Sequence, residues 1–529
     1  MRSGIVWLAV VLIFHVNQAY AQHPAEKYAA GITAEELREH LTIIAADEFE
    51  GRETGKPGQL KAAEFLLEYY RTLGIPGGNQ GSYLQEFPLK QERIIESFLD
   101  LEGAQYKFID DFYFFTGNKE SDLLLNDVVF VGYGIDDNKY SDYSSKMSVQ
   151  GKVVICLSGE PRSKDGTFLL SGDKESGEWS NDPGMKIDAA EARGARALII
   201  VQQDYDRFIP RVRFWLESPR LSLDYPEGME EVNENALPFF FVSPRVGDAI
   251  VQKLFKKNLS VLAEKWNKNG KAAVKAGTLS GKVAVRISAD RMVSHNVIAL
   301  IEGTDEQLRD EVVVISAHYD HVGVINGEIH NGADDDGSGT VTAMELAEAL
   351  LEAKQAGVGP RRSVMILHVS GEEKGLLGSE WYTEFPTHPL EGTVCNLNID
   401  MIGRVDEEHA DNENYVYLIG SDKLSTQLHR ISEEANATHT QLELDYTFND
   451  PNDPNRFYYR SDHYNFARRN IPVIFYFSGV HEDYHRPGDD AEKIRYEKMA
   501  RIGRLIFHTA WEVANRDERI PVDVTTPED

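Results

Sequence analysis

The segment RSVMILHVSGEEKG, residues 362–375, is an apolar run that stops at two adjacent glutamates, Glu372 and Glu373. A run this short and this continuously apolar reads as a strand buried on both faces. Neighbouring carboxylates repel, and beside a core that repulsion is weakly screened. The same strand character recurs outward in HNVIALIEG (295–303), EVVVISAHYDH (311–321), GTVCNLNIDM (392–401), ENYVYLIGS (413–421) and IPVIFYFSG (471–479). Between them lie helical patterns, GTVTAMELAEALLEA (339–353), KLSTQLHRISEEA (423–435) and YEKMARIGRLIFHTAWEVA (496–514). This alternation predicts an α/β fold, a mixed, mostly parallel sheet with helices on both faces. Ligand sites of such sheets lie at the C-terminal ends of the strands.

A chain of 529 residues exceeds what one core ordinarily serves. Upstream, Thr33 is set to cap a helix with Glu36 as its capping-box partner, and Gly74 stops a second helix. From about residue 120 to 280 the pattern changes to short strands and loops, as in NDVVFVGYGI (126–135), GKVVICLSG (151–159) and LPFFFVS (237–243). The expected organisation is a discontinuous domain over 22–118 and 285–529, interrupted by a β-rich insertion over 119–284. Residues 1–21 read as a signal peptide: Arg2, an apolar stretch from Gly4 to Phe14, then Ala19-Tyr20-Ala21 as the cleavage site. Export to the periplasm or the medium follows, and no other segment is apolar enough to span a membrane.

Lys plus Arg is 55 and Asp plus Glu is 86, so the formal charge is 55 − 86 = −31. That balance repels phosphate backbones and argues against nucleic-acid partners. Cys156 and Cys395 are the only cysteines. They cannot build a disulfide framework or a cysteine-ligated zinc site, so any metal must use His, Asp and Glu.

Such residues gather where the strands end: His318 and Asp320; Asp334, Asp335 and Asp336 just beyond; Glu372 and Glu373; Asp400; His481 and His485. Oxygen and imidazole ligands suit Zn²⁺, with Mn²⁺ or Co²⁺ as substitutes, and one carboxylate can bridge two ions about 3.5–4 Å apart. A metal on one glutamate of the pair would neutralise it and leave its neighbour free to act as a general base.

Two local motifs compete with that reading. HEDYH (481–485) matches a single-zinc protease, with His481 and His485 as ligands and Glu482 as base. DDDGSGTVTAME (334–345) has calcium-loop spacing but lacks a preceding helix. His321, His330, His368 and His481 read as hydrogen-bonded structural histidines, and Arg52 as a loop ion-pair residue.

AHYDH, NGADDDGSG, SGEEKGLLGS, NIDMIG, YRSDHYNF and DYHRPGDD occur in that order. Together they resemble the co-catalytic zinc aminopeptidases of metallopeptidase family 28, of the secreted bacterial leucyl aminopeptidase type. The likeness covers about 33–115 and 293–515, on a zinc-exopeptidase (phosphorylase/hydrolase-like) fold. The insertion resembles a protease-associated domain. The resemblance implies that His318 and Asp400 bind one zinc, Glu373 and His485 a second, and Asp335 bridges them. It further implies Glu372 as general base on a water between the ions, Asp320 orienting His318, and Ser461 and Asp462 bracing the site. The expected substrates are peptides with a free N-terminus. The alternatives on the same residues are a glutaminyl cyclase, a carboxypeptidase using Arg456 or Arg460 for a free carboxylate, the single-zinc HExxH protease, and a non-catalytic binding protein.

Overall fold

The computed structural model describes residues 24–114, 121–143, 147–163, 165–226, 228–229, 237–269 and 271–524. The signal-peptide segment 1–21 and the expected boundary at 118/119 lie outside them. Among the described residues no helix is long and apolar enough to cross a membrane. Those up to Leu89 and from Met292 onward form one compact unit, and Lys90–Arg291 form another. The chain passes between the units within the strands Leu84–Leu101 and Gly281–Ile301.

After a short helix, Pro24–Ala29, the first unit continues with α1 (Ala34–Ile44), where the Thr33 side chain accepts the Glu36 amide and donates to the Glu36 carboxylate. In α2 (Pro57–Leu73), proline occupies the first turn, and Gly74, at φ 78°, ends the helix in the left-handed region. The eleven-stranded sheet includes β1 (Gly281–Ile301), β2 (Val312–His318), β3 (Ser363–Val369), β4 (Thr393–Ile399), β5 (Tyr415–Ile419), β6 (Glu443–Asp445) and β7 (Val473–Phe477). Their spatial order is β6–β5–β7–β4–β2–β3–β1. β2, β3, β4 and β7 run parallel, while β1 and β5 are antiparallel to their neighbours β3 and β7. This is the mixed sheet that the apolar runs predict.

Alternate residues of each strand feed opposite cores. Val313, Ile315 and Ala317 pack with α3 (Gly339–Gln355) and α4 (Tyr496–Asn515) on one face. Val312, Val314, Met365 and Leu367 pack with Tyr382 and Phe466 on the other. Four parallel strands necessarily release their C-terminal residues at one edge. The register pairs His318 with Val369, so His318 emerges beside the turn that carries the two glutamates.

The second unit has its own sheet, ordered Lys275–Gly277, Val128–Phe130, Val153–Leu157, Ala197–Val201, Phe239–Val242 and Phe112–Tyr113. The four inner strands are parallel. Helices Tyr205–Glu217, Pro244–Phe255 and Leu259–Asn269 make this an α/β unit, with more helix than the β-rich insertion expected from sequence. Pro210 sits inside the first of them and breaks the helical signal there.

Candidate metal centre

His318 ends β2 and is almost fully buried. Its Nδ1 lies 3.1 Å from the main-chain oxygen of Asp320. A carbonyl only accepts, so Nδ1 holds the proton and Nε2 presents a lone pair. That Nε2 faces Asp335 Oδ1 at 3.3 Å and Asp400 Oδ1 at 3.6 Å, with no hydrogen bond of its own. A buried lone pair between two carboxylates calls for a cation, either a proton or a metal. Burial opposes charging the ring, yet the carboxylates of Glu372 and Asp400 outweigh it and raise the His318 pKa well above the usual imidazole range.

Asp335 also belongs to a second group. Its Oδ2 lies 3.1 Å from His485 Nε2, which is in turn 3.0 Å from Glu373 Oε2. His321 Nδ1 stands 2.8 Å from Glu373 Oε1 and 3.7 Å from Asp335 Oδ2. His318, Asp335 and Asp400 can therefore share one ion, and His321, Asp335 and Glu373 can share another, with Asp335 common to both. Oxygen and imidazole donors fit Zn²⁺, Mn²⁺ or Co²⁺. His318 Nε2, Asp335 Oδ2 and Glu373 Oε1, all without hydrogen-bond partners, are atoms that a bound cation would satisfy.

The loops carrying these groups are tied by buried carboxylates. Asp489 accepts the amides of Asp334 at 3.0 Å and Asp335 at 3.1 Å. Asp336 accepts those of His318, Gly339 and Met401. Ser461 donates to Asp400 Oδ2 at 2.6 Å. The Asp320 carboxylate accepts the Glu372 amide, 3.3 Å away, and stands 3.9 Å from His318 Nδ1. It is thus the main-chain carbonyl of Asp320, rather than its carboxylate, that meets the ring.

The glutamate pair is electrostatically split. Burial pushes Glu372 well above the ordinary carboxylate range; His318 opposes this, and Glu373 and Asp400 add to it. Burial and Asp335 also push Glu373 upward, but His485 and His321 pull it down to about 2. Adjacent carboxyls whose pKa values are driven apart are suited to different tasks.

The structure separates the members of HEDYH. Residues 482–485 form a turn, so the two histidines do not share a helix face. His481 Nε2 lies 3.4 Å from Asp334, and Glu482 is exposed near Arg404. His368 meets Tyr70, as a structural histidine should. His321 departs from that class, because it faces Glu373 and Asp335. Arg52 is not a loop ion-pair residue: it is fully buried and donates to four main-chain carbonyls. Asp489 lies inside the quoted DYHRPGDD, but a carboxylate that serves main-chain amides leaves no spacing signal.

A pocket opens beside Asp335, Glu372 and Asp400. Met401, Phe457, Phe475, Phe477 and Val480 supply its apolar lining, with Tyr484 and Arg460 also on its wall. The Arg460 guanidinium lies over the Phe457 ring at 4.9 Å. Arg456 lies over Tyr459 instead and does not line the pocket.

Residues 296–510 match the model of peptidase family M28. The chain is 28% identical over 287 residues to a probable zinc metalloprotease of Pyrenophora tritici-repentis, covering 46% of this chain and 56% of that protein. It is 30% identical over 248 residues to a probable leucine aminopeptidase of Arthroderma benhamiae, covering 45% of this chain and 62% of that protein. The match thus spans less than two thirds of either relative's length. The fold is similar to that of an aminopeptidase from Aneurinibacillus sp. strain AM-1, with TM-score 0.56 at 17% identity, over 96% of this chain and 98% of that one.

Proposed function

We propose that the protein, whose residues 296–510 match the model of peptidase family M28, is a two-zinc aminopeptidase that removes N-terminal residues from peptides. The observation that carries this reading is the convergence of His318, Asp335, Glu373, Asp400 and His485 from five separate segments of one sheet edge. His318 and Asp400 would hold one ion, Glu373 and His485 the other, with Asp335 between them. The ions, once bound, would acidify water and polarise the scissile carbonyl. Glu372 would take the proton of the attacking water and return it to the leaving amine, since it lies beside the cluster and its proton affinity is raised. The apolar pocket would receive the side chain of the first residue. Asp320 would fix the tautomer of His318 through its carbonyl. Residues 1–21 would direct export before this chemistry begins.

The test is hydrolysis of amino-acid amides, free and N-acetylated, with and without a chelator. The reading requires cleavage of the free set alone, lost on chelation and restored by zinc. Equal cleavage of the acetylated set would remove it.

A further inference from the structure

We propose that Arg52 and Thr54, in the segment EGRETG ahead of α2, are positioning residues of the metal centre. This rests on the two-metal reading above. Arg52 is fully buried, with a guanidinium whose N–H groups fan out over two loops. Nε donates to the Tyr319 carbonyl at 2.8 Å, between His318 and Asp320. Nη1 donates to Asn331 at 2.6 Å and to Ile44 at 3.1 Å, and Nη2 to Gly332 at 2.8 Å. Asn331 and Gly332 lead directly into the turn that presents Asp335. One planar cation therefore spans the loop of a terminal ligand and the turn of the shared one.

Thr54 completes the connection. Its hydroxyl donates to Asp320 Oδ2 at 2.6 Å. The other oxygen of that carboxylate accepts the Glu372 amide, and the Asp320 carbonyl accepts from His318. Thr54 thus sets the residue that links His318 to the Glu372 turn. The segment can approach this closely because Gly51, at φ 62°, has no side chain. A Cβ there would fall 2.3 Å from the His330 carbonyl. The Arg52 carbonyl then accepts the His321 amide at 3.2 Å, and Glu53 bridges His321 in parallel register.

A buried guanidinium satisfied by carbonyls alone is costly as a purely structural device. Burial lowers the Arg52 pKa, and the nearby carboxylates of Asp320, Asp335, Asp489 and Asp336 offset only part of that cost. Lysine could not replace it: three donors on a point charge cannot reproduce a planar fan over four carbonyls.

The experiment measures zinc affinity by competition with a chromophoric chelator, and zinc content by elemental analysis, on the full chain. Thr54→Val, Arg52→Gln and Arg52→Lys should each weaken zinc binding about 10–100-fold. Thr54→Ser should restore wild-type affinity. Kinetics on loaded enzyme should show a fall in kcat with KM nearly unchanged. Wild-type zinc affinity in both Thr54→Val and Arg52→Gln overturns the proposal. If Arg52→Gln does not fold, the near-isosteric Thr54→Val and its serine rescue decide it. A wild-type protein that takes up no zinc overturns the two-metal reading itself, and this inference with it.

Discussion

Glu372 and Glu373 are neighbours in sequence but face different partners: Glu373 lies 3.0 Å from His485, whereas Glu372 stands 3.9 Å from His318. The divergence comes from the backbone. Gly371, at φ 84°, turns the chain out of β3 into a single 3₁₀ turn over Glu372–Lys374, where successive side chains point about 120° apart. A side chain at Gly371 would force its Cβ to 3.0 Å from that of Leu377. Repulsion between the two carboxylates is therefore relieved partly by geometry and partly by the imidazoles around Glu373.

Glu372→Gln is expected to lower kcat by about 10²–10⁴-fold, the usual range for a lost general base. Zinc content should stay at the wild-type level, because the ligand groups do not require Glu372. Glu482→Gln should leave both unchanged, since Glu482 is exposed near Arg404. Steady-state kinetics with elemental analysis checks this. Loss of activity in Glu482→Gln alone would reverse the assignment.

Asp335 belongs to both candidate ion groups, whereas His485 faces only one. Asp335→Asn should therefore reduce zinc at both positions, and His485→Ala at one. Titration with zinc, followed by calorimetry, distinguishes two coupled losses from one.

Much of this was legible in the residues. Continuous Val/Ile runs gave the sheet, and parallel order placed His318, Glu373, Asp400 and His485 at a common edge. Arg52 was not legible, because four main-chain acceptors leave no pattern in the sequence that supplies them. His321 looks like any histidine at a strand end until the fold brings Glu373 to it. In the second unit, Pro210 interrupts the helical signal of Tyr205–Glu217.

The pocket beside the cluster has an apolar lining, so leucine, methionine and phenylalanine amides should be hydrolysed at least about tenfold faster than aspartate amide, each tenfold corresponding to about 1.4 kcal/mol. Val480 lines the pocket and is partly exposed. Val480→Trp should raise KM for phenylalanine amide more than for alanine amide. Arg460→Ala should leave amide hydrolysis nearly intact. A selective loss on substrates with a free C-terminal carboxylate would favour the carboxypeptidase alternative.

His368 makes a prediction about acid stability that is independent of the chemistry. It is fully buried in β3 with its Nε2 2.6 Å from the Tyr70 hydroxyl, and burial lowers its pKa to about 3. Unfolded, the imidazole titrates near 6.5. Between those values the unfolded chain binds a proton that the folded chain refuses, so stability is highest above pH 6.5 and falls as the pH drops toward 3. The slope from this one group is about 1.4 kcal/mol per pH unit. Because the raised carboxyl of Glu372 acts with the opposite sign over the same range, the contribution of His368 is read as the difference in pH slope between wild type and the His368→Gln variant, from urea unfolding of both metal-free proteins at pH 7, 6 and 5. His368→Gln, unable to take up a proton, should be less stable at pH 7 yet lose less on acidification. An unchanged pH slope in that variant would show that His368 is not the titrating group.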